Sequence, residues 1–205
     1  MIAKEQVRAC ARLVVERFRD DPGIKAQMSG VPNAGELMRA QCLGQVRAFA
    51  ETGCVMLLDK GPSFMIGYRT DKLPAEKLVD LLQDASREAL AIATPEQLEA
   101  LQANIAPVAE ITDEFWYARR FPSETVYVLQ VIAVEASLKG TGAFRRLISP
   151  AIAACDKDGT RMVLQTHNPA NIPLYEHFGF AVEEELASPQ LGLRCFNMAR
   201  QPKQN

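Results

Sequence analysis

The sequence has few of the residues that metal centres and redox motifs use. Its 205 residues include only two histidines, His167 and His177, and its five cysteines stand singly, with no Cys-x-x-Cys pair. Zinc and redox motifs need such pairs or clustered histidines, so we predict no bound metal. The cysteines are instead expected to be small buried hydrophobic residues in a reducing compartment.

An excess of charge and a long apolar run are also lacking. The 23 basic and 25 acidic side chains leave a net charge of −2, which offers no overall attraction to nucleic acid or to an anionic membrane. Apolar runs such as residues 126–134 are far shorter than the roughly 20 residues of a membrane-spanning helix, and the N-terminal segment lacks the pattern of a secretory signal. We therefore predict a cytoplasmic protein with neither nucleic-acid nor membrane partners.

What is present is the composition of one folded domain. Apolar residues make up 48% and charged residues 23%, and glycine and proline contribute 12 residues each, which are ordinary values for a globular protein. A chain of this length buries about 70% of its unfolded surface without help from disulfides or metal. Since no internal repeat or linker is present, we predict a single domain at residues 1–200 and a polar tail at residues 201–205.

Apolar periodicity predicts four helices in the first half of the chain. Apolar side chains recur there at three- and four-residue steps, which place them on one helix face. The first helix spans residues 7–18 and ends at the turn of residues 20–23, and the second spans about residues 35–52. The third begins near Pro74. The fourth begins at the capping box of Thr94 and Gln97 and ends at Pro107. Residues 54–59 and 63–69 predict two antiparallel strands, separated by a break at residues 60–62.

The second half predicts a strand, a glycine loop, a helix and a second strand. Residues 125–134 are almost continuously β-branched, aromatic or aliphatic, as expected of a central strand covered on both faces. Gly140 and Gly142 lead into a helix at residues 144–155, and residues 161–167 return as a strand, which we expect to be parallel to the first. The remaining predicted elements are a short helix around Tyr175, capped by Gly179, and a hairpin of residues 180–184 and 193–198.

The glycine loop has the character of an anion site. Glycines between a strand and a helix let backbone N–H groups approach an anion, which the positive end of the helix also attracts. Lys139, Arg145 and Arg146 add positive charge that the net balance conceals. A dinucleotide fingerprint would need glycine in place of Arg145, so we predict a phosphate-bearing ligand of another class. The alternative is a simple turn into the helix.

Two segments together resemble the GNAT superfamily of acyl-CoA-dependent N-acyltransferases. The first is the loop Lys139-Gly140-Thr141-Gly142-Ala143-Phe144, and the second places Asn171, Tyr175, Gly179 and Phe180 at the family's spacing. The resemblance implies a single-domain α/β fold with a mixed, twisted sheet, in which a central parallel strand pair is splayed and helices flank the sheet. The family's first strand would have to fit within residues 1–4.

The same resemblance implies a function and a set of site residues. The implied reaction moves acetyl from acetyl-CoA to a primary amine on a small molecule, by direct attack in a ternary complex; a homodimer is left open. Tyr175 is implied as the general acid, since an unperturbed tyrosine with a pKa of about 10 holds a proton that it can donate at neutral pH. The implied cofactor-binding residues are Ile132, Ala133, Val134, Lys139, Gly140, Thr141, Gly142, Ala143, Phe144, Arg145 and Asn171.

Other candidate residues leave alternatives open. Gln130 and Glu135 could each face the substrate cleft, and no general base is identified. The acidic and aromatic cluster at residues 110–117 could form a wall for a cationic amine, although we favour helix packing, and we expect an ordinary hydrogen bond for His167. The alternative functions are a non-catalytic acyl-CoA-binding sensor or scaffold of the same fold and, ranked last, a nucleotide-dependent enzyme that uses the glycine loop.

Overall fold

The structure is a computed structural model that describes residues 2–59 and 61–203. Within this range the helices are α1 (Lys4–Phe18), α2 (Pro22–Gln27), α3 (Ala34–Glu51), α4 (Ala75–Ile92), α5 (Pro95–Ala109), α6 (Trp116–Arg120), α7 (Ala143–Asp158) and α8 (Ile172–His177). The strands are β1 (Val55–Leu57), β2 (Phe64–Arg69), β3 (Val126–Ala133), β4 (Arg161–Thr166), β5 (Ala181–Ser188) and β6 (Leu193–Arg200). Three parts of the predictions lie outside the described residues: Met1 of the first-strand segment, Lys60 of the predicted break and residues 204–205 of the tail.

The strands form one mixed sheet in the order β1-β2-β3-β4-β6-β5. β1 and β2 are antiparallel, as predicted, and β5 and β6 form the predicted terminal hairpin, each strand extending further than expected. β3 and β4 are the parallel neighbours at the centre of the sheet. The predicted α/β class with a mixed sheet is therefore confirmed.

The two parallel strands pair only where they begin. The paired residues are Val126 with Arg161, Tyr127 with Met162 and Val128 with Val163. β3 then continues to Ala133 with β2 on its other edge, and β4 continues to Thr166 with β6 on its other edge. The strands therefore diverge after Val128, which confirms the predicted splay and leaves the facing edge of β3 unpaired within the described part of the chain.

Helices cover both faces of this central strand. Val126 and Val128 belong to a core shared with α1 and α3, whereas Leu129 belongs to a core shared with α7 and α8. Successive residues of a strand point to opposite faces, so β3 contributes apolar side chains to both cores. This double coverage explains why its sequence is apolar almost without interruption.

One predicted helix boundary is wrong, one short helix was not predicted, and the first strand of the family is not found in the described residues. The turn of residues 20–23 contains the start of α2, because the Asp21 carboxylate accepts hydrogen bonds from Gly23 and Ile24 N–H, at 2.9 and 3.3 Å, and Pro22 suits a first turn. Pro107 does not end α5, since burial of Val108 favours continuation to Ala109 over the one backbone hydrogen bond that proline removes. No strand precedes α1 within residues 2 and 3.

Two further findings concern membrane-spanning helices and metal-binding groups among the described residues. None of the helices there is both apolar enough and long enough to cross a membrane. The same residues contain no group of three or more side chains able to hold a metal ion together.

Candidate active site

The connection between β3 and α7 presents backbone N–H groups at the end of the central strand. It passes through a 3-10 turn at Ala136–Leu138 and then through Gly140 and Gly142, whose φ angles of 79° and 77° favour glycine. The first backbone hydrogen bond of α7 runs from the N–H of Arg146 to the carbonyl of Gly142. The N–H groups of the residues between them have no partner inside the helix and are available to an anion.

A cavity of about 200 Å³ opens beside this connection. Its lining residues are Arg17, Val134, Glu135, Ala136, Leu138, Lys139, Gly140, Gly142, Ala143 and Phe144. We call it the glycine-loop cavity. It brings together six of the predicted cofactor-binding residues, namely Val134, Lys139, Gly140, Gly142, Ala143 and Phe144.

Arg17 is a lining residue that the sequence analysis missed. It lies in the last turn of α1, on the exposed side of the helix, and adds a second cation to the cavity beside Lys139. A single arginine on the polar face of a helix belongs to no motif. Only the packing of α1 against the sheet brings it to the glycine loop, so no local signal could have identified it.

Two predicted residues of the loop and helix lie outside the cavity lining. The Thr141 hydroxyl donates to the Leu138 carbonyl at 2.8 Å, which tightens the turn. The Arg145 guanidinium lies 2.7 Å from His177 Nε2 and 5.3 Å from the centre of the Phe178 ring. Both side chains are exposed near the same helix end, and their roles in cofactor binding stay predictions.

The other predicted binding residues lie along the gap between the parallel strands or just beyond it. Ile132 and Ala133 pair with β2 and have no partner in β4 among the described residues, so their outer edge faces the gap. The Asn171 side-chain amide donates to the Thr166 hydroxyl at 3.4 Å, close to the end of β4. Contact between these residues and a cofactor stays a prediction.

Tyr175 is buried beneath the glycine loop. Only 9% of it is exposed, and its ring centre lies 6.1 Å from that of Phe144 and 5.9 Å from that of Phe180. Burial raises the pKa of its phenol, and the charge of Asp21 raises it further. The phenol therefore holds its proton at neutral pH, although Tyr175 lines neither cavity and reaches the glycine-loop cavity only through Phe144. Its role as the general acid stays a prediction.

A second cavity, of about 90 Å³, lies where β3 and β4 separate. It begins at Val128, the last residue of β3 that pairs with β4. We call it the strand-gap cavity. Its lining residues are Asp113, Glu114, Trp116, Tyr117, Val128, Leu129, Gln130, Leu164 and Gln165.

Acidic and amide side chains meet in the strand-gap cavity. Gln130 Nε2 donates to the Glu114 carboxylate at 2.7 Å. Burial raises the pKa of Glu114, the hydrogen bond from Gln130 lowers it, and the charge of Asp113 raises it. Gln165 Nε2 donates to the Asp113 backbone carbonyl at 3.3 Å and to Asn197 Oδ1 at 2.7 Å. These contacts tie the segment before α6 to the two diverging strands.

The cluster at residues 110–117 therefore divides by residue type. Trp116 and Tyr117 are 2% and 7% exposed and belong to the core, which agrees with the packing that we favoured. Asp113 and Glu114 reach the strand-gap cavity, whereas Glu110 is exposed outside it. Trp116 and Tyr117 thus pack in the core and also line the strand-gap cavity together with the two carboxylates.

The remaining candidates also have defined positions. His167 Nε2 lies 2.9 Å from the Thr112 hydroxyl, and burial lowers the pKa of its imidazole, so it has the ordinary hydrogen bond that we expected. Glu135 lines the glycine-loop cavity, where its N–H donates to the Ser63 hydroxyl at 3.0 Å. Gln130 is thus the candidate that faces the gap, and Glu135 faces the other cavity.

Known proteins resemble this chain both in sequence and in structure. No protein-family model matches it. An uncharacterized N-acetyltransferase of Schizosaccharomyces pombe is 31% identical over 77 residues, which are 38% of this chain and 27% of that protein. This chain thus matches about a quarter of the length of that curated relative.

Three solved structures superpose on nearly the whole chain. Histone acetyltransferase HPA2 and related acetyltransferase from Corynebacterium glutamicum gives a TM-score of 0.62 at 16% identity, covering 100% of this chain and 95% of its own. This chain therefore has the fold of these acetyltransferases. Arylalkylamine N-acetyltransferase 2 from Aedes aegypti gives 0.58 at 12% identity, covering 98% and 97%. An N-acetyltransferase from Staphylococcus aureus gives 0.57 at 16% identity, covering 96% and 96%.

These similarities confirm the predicted resemblance to the GNAT superfamily. They also agree with the predicted mixed sheet, whose parallel strands diverge in this chain. At these identities the solved structures establish the fold alone, so the activity and the substrates of this chain are argued separately.

Proposed function

We propose that the protein is an N-acetyltransferase that moves acetyl from acetyl-CoA to a primary amine, by direct attack in a ternary complex. The observation that carries the proposal is the separation of β3 from β4 directly before the glycine loop. One continuous strand thereby offers an unpaired backbone edge and, at its end, an anion-binding turn. An extended amide-bearing chain that ends in a diphosphate needs both features.

The side chains of the glycine-loop cavity fit the diphosphate of acetyl-CoA. Lys139 and Arg17 supply positive charge, and the first N–H groups of α7 supply hydrogen-bond donors. The edge of β3 after Val128 supplies backbone groups for the amides of the arm. When bound, acetyl-CoA supplies a thioester whose carbonyl carbon an amine can attack.

The chain would assist this reaction in two ways. Backbone N–H groups on the open edge of β3 can donate to the oxygen on which negative charge develops during acyl transfer. The Tyr175 phenol keeps its proton at neutral pH, as an ordinary tyrosine does and as burial further favours, and it can donate that proton to the departing thiolate. Support for an acyl-transfer role also comes from the relative in Schizosaccharomyces pombe, which carries the name of an N-acetyltransferase.

Calorimetric titration and a free-thiol assay test this proposal together. We expect acetyl-CoA to bind the purified protein and thiol to be released in the presence of some primary amines. Absence of acetyl-CoA binding would disprove the proposal. Binding without thiol release from any amine would favour a non-catalytic sensor, a second candidate that is motivated by the position of Tyr175 outside both cavities.

Replacement of a single hydroxyl tests the general acid. Tyr175→Phe should lower kcat more than it weakens acetyl-CoA binding, because it removes a proton donor and keeps the ring. Tyr127→Phe is the matched control, since Tyr127 is a half-buried phenol that packs against the same core as the buried Tyr175. Equal kcat in the wild type and the Tyr175 variant would remove Tyr175 from the mechanism and leave the rest of the proposal standing.

A further inference from the structure

We propose that the strand-gap cavity binds the ammonium group of the acceptor, with Glu114 as its counter-ion and proton acceptor, and that the protein consequently prefers amines with no carboxylate beside the amine. This inference rests on the proposed acetyl transfer. It assigns the class of acceptor and the residue that accepts the proton of the amine, which the proposed function leaves undefined.

The first support is the fixed position of the Glu114 carboxylate. Glu114 precedes α6 in the chain, and its only side-chain hydrogen bond within the described residues comes from Gln130, at 2.7 Å. Gln130 lies on β3 two residues beyond the last residue paired with β4. The carboxylate is therefore held at the opening between the strands, where a nucleophile would meet a thioester carried along β3.

The second support is the absence of a cation for this carboxylate. Among residues 2–59 and 61–203, neither Asp113 nor Glu114 forms an ion pair. The two arginines of α6 are held elsewhere, Arg119 by Glu184 at 2.9 Å and Arg120 by Glu183 at 3.0 Å. A half-buried carboxylate without a cation beside it is costly, and a cationic ligand would reduce that cost.

The third support is an unpartnered hydroxyl next to the cavity. Tyr68 is 3% exposed, and its hydroxyl has no hydrogen-bond partner in the described part of the chain. Tyr68 pairs in β2 with Val128, which lines the cavity. Burial raises the pKa of Tyr68, and Tyr117 and Glu114, which both line the cavity, raise it further. A ligand that donates hydrogen bonds could satisfy them.

The remaining lining explains why a carboxylate on the ligand would be rejected. It consists of apolar side chains such as Trp116, Leu129 and Leu164 together with two carboxamides, and it contains no basic residue. A carboxylate beside the amine would therefore meet Asp113 and Glu114 with no cation to pair with. Like charges at close range in a desolvated site are strongly unfavourable.

The proton and bond changes of this step balance. Glu114 takes one proton from the ammonium group, and the neutral nitrogen forms a bond to the thioester carbonyl carbon as the carbon–sulfur bond breaks. The thiolate gains a proton from the Tyr175 phenol. The amide nitrogen releases its second proton, which returns through water to that phenol, and Glu114 releases its own proton to solvent. No oxidant, reductant or metal is required.

Matched acceptors that differ only by a carboxylate test the inference. We expect kcat/KM for tyramine to exceed that for tyrosine, and that for isoamylamine to exceed that for leucine, by about tenfold or more. Glu114→Gln should lower kcat/KM for both amines by about tenfold or more and reduce both ratios. The dissociation constant for acetyl-CoA should stay within about twofold of the wild-type value, because Glu114 lies outside the glycine-loop cavity.

Two further variants guard against a purely structural effect. Glu110→Gln removes an exposed carboxylate from the same sequence cluster and should change neither ratio. Glu114→Asp keeps the charge and should retain more of the preference than Glu114→Gln does, although both alter packing. A loss of activity that is equal in the Asp and Gln variants would overturn the role of the charge.

The remaining outcomes separate this inference from the proposed function. Equal use of amines and amino acids, or an unchanged ratio in Glu114→Gln, overturns the inference and leaves acetyl transfer intact. Release of no thiol with either amine, while acetyl-CoA binds, overturns it as well. Failure of the wild type to bind acetyl-CoA disproves the proposed function, and the inference falls with it.

Discussion

The two cavities of this protein lie along one strand and differ in charge, since the first is lined by two basic side chains and one acidic one, Glu135, and the second by two acidic side chains. The glycine-loop cavity, at the end of β3, combines backbone N–H groups with Arg17 and Lys139. The strand-gap cavity begins at Val128 and presents carboxylates and carboxamides with no basic side chain. The comparison teaches that a chain with a net charge of −2 can concentrate both signs locally. An anion and a cation can therefore be held a few residues apart on one strand.

The largest expected effect is on the free energy of unfolding, through an ion pair between α7 and β6. Arg200, 3% exposed, forms two hydrogen bonds with the Asp156 carboxylate, at 2.7 and 2.8 Å, and so fixes α7 to β6. Asp156→Ala leaves a buried guanidinium unpaired and should lower the free energy of unfolding by about 3 kcal/mol. Urea-induced unfolding of both proteins measures this change in the free energy of unfolding. The surface pair of Asp158 with Arg69 is the control, and Asp158→Ala should cost less than about 1 kcal/mol.

The sign of the pH dependence checks the same pair. Arg200 lowers the pKa of Asp156 through hydrogen bonds and charge, so the carboxylate stabilises the folded state above its ordinary pKa. This stability is lost as the pH falls toward the lowered folded-state value. The difference between the wild type and Asp156→Ala should therefore shrink from neutral pH to about pH 3. A difference that grows on acidification would contradict the assignment.

The next effect should fall on the glycine-loop cavity alone. Gly142→Val forces a β-branched residue to φ near 77°, where L-residues are strained by about 1–2 kcal/mol, so the loop should shift and acetyl-CoA affinity should fall by about tenfold or more. Gly53→Val is matched, since Gly53 has φ 76° and open space around it but lies outside both cavities. Equal affinities by titration would show that the loop does not hold the diphosphate.

A smaller effect is expected from the cation that the sequence analysis missed. Arg17→Ala should weaken acetyl-CoA binding by about threefold at low ionic strength, and high salt should remove the difference because exposed charges are screened. Arg12→Ala removes another exposed arginine of α1 that does not line the cavity. If Arg12→Ala weakens binding as much as Arg17→Ala, only general electrostatic attraction is at work.

The smallest effect should appear only in the strand-gap cavity. Gln130→Leu removes the hydrogen bond that lowers the pKa of Glu114, so that pKa should rise. The acid limb of the pH profile of kcat/KM for an amine should then move to higher pH, while acetyl-CoA binding stays unchanged. A shift toward lower pH, or no shift, would separate Glu114 from the titrating group.

The sequence predicts the first cavity much better than the second. Residues 139–144 are contiguous, so a local pattern identifies the glycine loop and its place between a strand and a helix. The strand-gap cavity collects residues from three distant segments, around Glu114, Gln130 and Gln165. Their meeting depends on strand pairing and on the packing of the segment before α6, and no spacing in the sequence encodes either.

The fold shows the same division between local and long-range information. Apolar periodicity predicts the order of helices and strands, because each element buries one face or both. The end of α5 at Pro107 was wrong, since burial of Val108 overrides the local preference of proline. Gln130 was a candidate for the substrate cleft and Glu114 belonged to the cluster for which packing was favoured, but their hydrogen bond could not be foreseen from positions 16 residues apart.

The gap between β3 and β4 also has a mechanical consequence. Each strand is held by an outer neighbour along the stretch where the two have parted, β3 by β2 up to Ala133 and β4 by β6 up to Thr166. The gap is therefore held open by β2 and β6 and is already formed before a ligand binds. Amide hydrogens that face the gap should exchange quickly with heavy water in the ligand-free protein, whereas those that pair with β2 or β6 should exchange slowly. A ligand can therefore bind in the gap without breaking hydrogen bonds of the sheet.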